Sequence, residues 1–286
     1  MSTAREIKGH IYSVRSISKV TRALETVSAV KNRRLQARLE STRIFAEKSW
    51  EVLNHLASAA ESYAQENPLF CGYPDVKRLA MLLIASDRGM VGTYNLDVIA
   101  LATNLCRSSP LPVELITIGK IGRDAMLRRG FQIHADFGQL GDAPDITAMT
   151  PVARVLLDGF HDRIFDKVTM VYTQFKPGAR LRPTTRQLLP VCPERSVTSH
   201  EYIYEPEPQE LISALLPRLI RFQIYEALLE SLFAENVSRM MAMRSATRNA
   251  HELIENLTMS YNKARQQAIT AEIMDILGGA GAVGGG

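Results

Sequence analysis

The stretch that decides the fold is RMMAMRSATRNAHELIENLTMSYNKARQQAITAEIMDIL, residues 239–277. It lies within Glu207–Leu277, some seventy residues that hold no glycine and, after Pro208, a single proline, Pro217. Little in such a segment breaks a helix. At 1.5 Å per residue a helix of that length runs roughly 100 Å. That is several times an ordinary globular helix, so the segment reads as a rod. Leu229, Phe233, Asn236, Met240, Met243, Thr247, Ala250, Ile254, Leu257, Tyr261, Ala264 and Ala268 recur at alternating steps of four and three, the spacing of a coiled-coil seam. A seam of this kind needs a partner to cover it.

The partner is at the other end of the chain. Residues 3–60 read as a second long helix, with no glycine or proline between His10 and Asn67. Ser2 or Thr3 can cap it, and Glu6, three residues after Thr3, completes a capping box. The apolar stripe Ile7, Ile11, Val14, Ile17, Val20, Leu24, Val27, Val30 has an average step below 3.6, which favours a left-handed supercoil. The two helices leave opposite ends of the intervening chain, so they are expected to pair antiparallel, with an α/β domain at one end of the rod. The C-terminal helix is the longer. Its last turns, Tyr261–Leu277, should outrun their mate, and Pro217 should kink it or mark its true start.

Between the rods the texture changes. ENPLFCGYPDVK (66–77) is a linker carrying Pro68, Gly72 and Pro74. Leu79–Ser86, Val113–Ile118, Phe131–Phe137, Lys167–Phe175 and Thr184–Val191 read as strands. Asn95–Arg107, Ile121–Arg129 (stopped by Gly130) and Thr150–Ile164 (with Thr150-Pro151 as its cap) read as helices. Strands alternating with helices predict βαβ units and a mostly parallel sheet. The fold class is therefore α/β: a long antiparallel coiled coil of N- and C-terminal helices plus a Rossmann-like domain. The segments are 1–60, 75–195 and 208–277. Residues 196–208 form an extended, proline-broken exit, and 278–286 a flexible glycine-rich tail.

Composition narrows the function. The chain has 286 residues, 46% hydrophobic and 22% charged, an ordinary globular balance. Cys71, Cys106 and Cys192 are far apart and odd in number, which argues for a reducing compartment and against a disulfide framework. No apolar run is long enough to span a membrane, and MSTAREIKGH has no secretory apolar region; a cytoplasmic-side protein is expected. Charge is uneven. Arg5, Lys8, Arg15, Lys19, Arg22, Lys31, Arg33, Arg34, Arg38, Arg43 and Lys48 face only Glu6, Glu25, Glu40 and Glu47, and 11 − 4 leaves +7 in the first 48 residues. This reads as a solvated face, or as a rod moving among acidic partner surfaces or along nucleic acid.

Catalytic patterns are missing. There is no GxxxxGK[ST] phosphate loop, no HExxH and no GxSxG. Gly89 and Gly92 give GxxG, not GxGxxG, and fit turn positions. The six histidines are scattered. Met240, Met241 and Met243 suit helix packing better than a soft metal site. No catalytic, cofactor or metal residue is assigned.

Three blocks carry a resemblance: REIKGHIYSVRSISKVTRALETVSAVK (5–31), SDRGMVGTYN (86–95) and ALLESLFAENVSRMMAMRSATRNAHELIENLTMSYNKARQQAITAEIMDIL (227–277). Along its whole length the chain resembles the gamma subunits of F-type ATP synthases. The third block is the most specific. The second departs from the usual SDRGLCGGFN at Met90, Val91, Thr93 and Tyr94, and Thr93 lacks glycine's freedom at positive φ. The resemblance implies a non-catalytic central-stalk rotor, one copy per complex, that transmits torque between the membrane c-ring and the alpha/beta hexamer during proton-driven ATP synthesis. It implies alpha, beta, epsilon and c-ring partners, no nucleic acid and no cofactor. It also implies a peripheral place on the cytoplasmic face of a bacterial plasma membrane, a mature organellar chain being the other source. By the same resemblance Arg265 and Gln266 contact beta loops, Arg239 and Arg88 are further contacts, and Lys8, Arg15 and Lys19 approach acidic levers of beta. Two other classes compete: a basic coiled-coil nucleic-acid binder or scaffold, argued from the +7 segment, and a dehydrogenase-like enzyme, argued from the βαβ middle.

Overall fold

The computed structural model describes residues 4–60, 63, 66–138, 140, 141, 144–175, 181–191 and 204–283. Cys192 and residues 196–203 of the expected extended exit lie outside them. The chain divides into two compact units, one of residues 30–238 and one of residues 1–29 with 239–286.

The element order is helix α1 (Ala4–Ala59), α2 (Pro68–Cys71), strand β1 (Leu79–Ile84), α3 (Tyr94–Ser108), β2 (Val113–Ile118), α4 (Lys120–Arg128), β3 (Ile133–Phe137), a 3₁₀ turn (Ile146–Met149), α5 (Thr150–His161), β4 (Lys167–Gln174), β5 (Arg182–Leu189) and α6 (Pro208–Val283). The fold is α/β, with a long N-terminal helix, a long C-terminal helix and a five-stranded sheet in the order β3-β2-β1-β4-β5. β1 pairs parallel with β2 and β4, β2 parallel with β3, and only β5 runs antiparallel, against β4.

In the unit of residues 30–238, β1 shows why the sheet is buried on both faces. Its alternate side chains Ala80, Leu82 and Ile84 join one core with Phe160, Phe165, Met170 and Tyr172. Met81 and Leu83 join a second core with Val98, Ile99 and Ala102 of α3 and Ala125 and Met126 of α4. A strand with apolar residues at every position has to be covered twice. The first core continues into α1 and α6 through Leu35, Leu53, Leu56, Ile212, Leu216, Ile220 and Ile224.

Helix ends follow local chemistry. At the close of α4, Gly130 sits at φ +85. Its N–H donates to the Leu127 carbonyl (3.0 Å), and the Phe131 N–H donates to the Met126 carbonyl (3.2 Å), a Schellman closure that favours glycine. The start of α5 differs from expectation. The capping side chain is Asp145, which accepts from the Ile146 N–H at 2.8 Å and opens the 3₁₀ turn leading in; Thr150 is already helical. The long helix α6 passes through Pro217, which neither ends it nor marks its start, and continues beyond Leu277 through Gly278, Gly279 and Gly281. A helix already nucleated needs only propagation to add such residues.

A buried clip joins the chain before β1 to the α5–β4 corner. The Asp166 carboxylate, 3% exposed, accepts from the N–H groups of Lys77 (2.7 Å) and Arg78 (3.1 Å). Arg163 stands 3.5 Å away, with its guanidinium 4.4 Å over the Tyr73 ring. Burial by itself would raise the Asp166 carboxyl, but the two backbone donors and Arg163 outweigh it and hold the group below the usual carboxylate range. A folded-state value below the unfolded one stabilises above the unfolded pKa, and that stability is lost as pH falls through the folded value. Asp166→Asn should therefore cost roughly 1–3 kcal/mol at neutral pH. The gap to the parent should narrow below about pH 4, as read by thermal unfolding at a series of pH values.

Candidate functional site: the helix pair

The unit of residues 1–29 with 239–286 is built from the start of α1 and the greater part of α6. On α1 the buried residues are Ile11, Ser18, Thr21 and Ser28, with Ile7, Val14 and Glu25 half-buried between them. Their steps alternate four and three, a strict heptad seam. On α6, Met243 and Ala250 are buried. Met240, Thr247, Ile254, Leu257, Tyr261 and Ala264 are half-buried. The expected α6 seam is therefore the observed one as far as Ala264, while Ala268 is exposed.

The expected α1 stripe holds at Ile7, Ile11, Val14 and Leu24, which are buried or half-buried, and is corrected at its other positions. Ile17 (56% exposed), Val20 (59%) and Val27 (50%) point outward, as does Tyr12 (76%); Val30, at the start of the other unit, is also exposed. The stripe followed the largest apolar residues and so drifted off the 3.5-residue period. The seam instead keeps the period, passing from Ile7, Ile11 and Val14 to the small hydroxyl side chains Ser18, Thr21 and Ser28. Small residues at a seam let two backbones approach closely, at the expense of apolar burial.

Two contacts fix register and direction. The hydroxyls of Thr21 and Thr247 share a hydrogen bond at 2.7 Å, and the Arg244 guanidinium donates to Glu25 at 2.9 Å. As the number rises along α1 it falls along α6, so the pair is antiparallel. Counting on from Thr21 and Thr247 sets Ala4, where α1 begins, opposite Ala264. Beyond that point residues 265–274 are all exposed. Arg265 and Gln266 are thus the first side chains past the end of α1. Lys8, Arg15 and Lys19 are exposed on α1, and Lys8 and Arg15 lie one heptad apart beside the seam. Arg239 is half-buried at the start of this unit's α6 segment.

Arg88 belongs to the other unit, in the loop between β1 and α3. It is exposed, and its carbonyl accepts from the Ser86 hydroxyl at 2.7 Å. Asn95 closes the loop, its Nδ2 donating to Ser86 Oγ at 2.7 Å while its Oδ1 accepts from the Ser86 N–H at 3.1 Å. Positive φ falls on Met90 (61°) and Gly92 (58°). Thr93 is at φ −87, so its lack of glycine's freedom costs nothing. Val91 is buried with Tyr94 and Ala234, an apolar contact that needs no thiol.

The same loop lies where the sheet order reverses around β1, the place where open α/β sheets bind ligands. Here α6 fills it. Besides the Ala234 contact, Ser231 Oγ accepts from the Thr173 N–H (3.2 Å) and Glu230 accepts from the Phe175 N–H (3.1 Å) at the end of β4. GxxG is a turn in this fold, which disfavours the dehydrogenase reading. Burial pushes the Cys106 thiol up to about 11, far from a reactive thiolate. Among the described residues, no group of three or more His, Cys, Asp or Glu side chains is placed to hold a metal.

The ATP synthase family model matches residues 3–283. An ATP synthase gamma chain of Dehalococcoides mccartyi is 41% identical over 285 residues, covering 99% of this chain and 100% of that one. One from Chloroflexus aurantiacus is 39% identical over 288 residues, covering 99% of each. This chain belongs to the ATP synthase gamma-chain family. Membership makes it a non-catalytic central-stalk subunit of a rotary complex. Solved structures share the fold. A mitochondrial ATP synthase OSCP/F1/c-ring structure from Euglena gracilis aligns with TM-score 0.69 at 16% identity, covering 98% of this chain and 94% of that one. A central stalk/c-ring structure from Tetrahymena thermophila aligns with TM-score 0.60 at 24% identity, covering 79% and 99%. Among the described residues no helix is long and apolar enough to cross a membrane.

The Thr21–Thr247 contact is testable. Either Thr→Val alone leaves the facing hydroxyl without its partner across the seam, and should lower stability by about 0.5–1.5 kcal/mol. The double variant T21V/T247V should lose less than the sum of the two, because both polar groups go together. Thermal unfolding of the four proteins gives the coupling.

Proposed function

We propose that the helix pair is a shaft turning inside a hexamer of alpha and beta subunits. In this reading the α/β domain sits on epsilon and the c-ring, and one copy of the chain carries torque between proton flow and ATP synthesis on the cytoplasmic face of a bacterial plasma membrane. Family membership supports this reading, and one observation carries it. The pair buries Ser18, Thr21 and Ser28 at its seam while Tyr12, Ile17, Val20 and Val27 face outward, a surface more apolar than a coiled coil standing in water needs. Met241, Leu253, Met259, Ile269, Ile273 and Met274 on α6 are exposed as well. A rod patterned this way suits an enclosing sleeve.

The charges suit motion inside that sleeve. Lys8, Arg15 and Lys19 are solvent-facing and would meet acidic partner surfaces through screened, individually weak pairs, which can break and re-form as the shaft turns. Arg265 and Gln266 would reach beta loops from the single-helix tip, with Arg239 and Arg88 as further contacts.

Mixed with alpha and beta subunits, the chain should assemble an ATPase, and a bead fixed to it should rotate during hydrolysis. A complex that hydrolyses ATP while the bead stays still overturns the mechanism. In the same assay, Arg265→Ala with Gln266→Ala should leave assembly intact and slow ATP-driven rotation severalfold. Rotation at the parental rate would remove those two residues from the contact.

A further inference from the structure

In the unit of residues 30–238, α1 and α6 also run side by side. The rings of Phe45 and Phe222 stand 4.7 Å apart, and the Arg38 guanidinium lies by the Tyr225 hydroxyl, so numbers fall along α1 as they rise along α6. Thirteen residues separate Asn32 from Phe45, and thirteen separate Phe222 from Glu235. Asn32 is therefore level with Glu235 and Asn236. All three are buried, Asn32 at 8% and Asn236 at 6% exposure. Asn236 Nδ2 donates to the Leu232 carbonyl of its own helix at 2.9 Å. Asn32 Oδ1 has no hydrogen-bond partner among the described residues, a state in which buried polar groups are rarely left.

This polar layer stands where the apolar core stops. Along α1 the core shared with the sheet begins at Leu35, and along α6 it ends at Phe233, with Val237 half-buried against it. Each asparagine lies three residues past that limit, about one turn. The division between the two compact units falls within three residues of each asparagine, at 29/30 and at 238/239. Parting the helices at Leu35 and Phe233 exposes apolar surface that belongs to the same core as Leu39, Leu229 and the sheet. Parting them at Asn32 and Asn236 exposes little apolar surface and returns the Asn32 carbonyl to water. In the unit of residues 1–29 with 239–286, the buried residues of α1 are Ile11, Ser18, Thr21 and Ser28, so separation there also exposes little apolar area.

We infer that the helix pair of residues 4–29 and 239–264 opens as a cooperative unit of its own, and that the Asn32–Asn236 layer is where the opening stops, the sheet and the helix segments on its core staying folded. A helix parted from its mate loses the packing that supplies most of its stability. Its amides then exchange with solvent, while those behind the layer wait for global unfolding. The inference concerns the chain by itself and does not rest on the sleeve. Hydrogen exchange of the free, full-length chain, followed by mass spectrometry, tests it. Protection factors over residues 8–28 and 243–261 should be roughly tenfold or more below those over 35–56 and 216–229. In the variant Asn32→Leu/Asn236→Leu an apolar layer continues the core outward, so protection over 28–34 and 234–240 should rise severalfold, with Asn32→Leu alone giving a smaller rise. A single protection level along the whole of α1 in the parent overturns the separate opening. Parent-like protection over 28–34 in both variants, with 35–56 still protected, removes the layer as the stopping place.

Discussion

Two long helices can lie together only if something at their seam rewards the contact, and here the reward is small. Ile11, Met243 and Ala250 supply the fully buried apolar surface of the unit of residues 1–29 with 239–286. The remainder is hydroxyl and half-buried contact. Ser18, Thr21 and Ser28 keep the backbones close, and the Thr21–Thr247 hydrogen bond and the Arg244–Glu25 pair set register and direction. Larger side chains at those positions would bury more area but would push the helices apart. The pair is therefore narrow and held mainly by fit. Its bulkier residues are left for the outside.

The unit of residues 30–238 has the opposite economy. Its sheet is apolar on both faces, with separate cores above and below β1, and α6 closes the crevice in which such folds take ligands. Ser231 and Glu230 cap the end of β4 and Ala234 packs on the β1–α3 loop. In this chain the crevice is taken up by the protein's own helix.

Much of this was legible in the sequence. The strand between Val113 and Ile118 is found with the bounds its apolar run suggested, and Gly130 stops α4 through the left-handed conformation that glycine supports. The α6 seam was readable because Met243, Ala250 and Ile254 combine apolar or small character with heptad spacing. The α1 seam was readable through Ile7, Ile11 and Val14 and was lost beyond them, where it passes to Ser18, Thr21 and Ser28. Nothing in their chemistry signals burial, and Ile17, Val20 and Val27 drew the stripe to the wrong face. The cap of α5 was missed because Asp145 acts through a 3₁₀ turn ahead of Thr150. The positions of Lys8, Arg15, Arg265 and Gln266 could be named from the sequence. That the last two begin where α1 runs out required the register.

The outward-facing row of Tyr12, Ile17, Val20 and Val27 has a consequence before any assembly exists. With its sheet, its clip at Asp166 and its helix pair in place, the chain by itself still presents β-branched and aromatic side chains to water. Such a surface is adhesive toward any other exposed apolar surface. Solubility therefore limits how long the folded chain can persist alone. Its cellular supply has to be matched to that of whatever sheathes it.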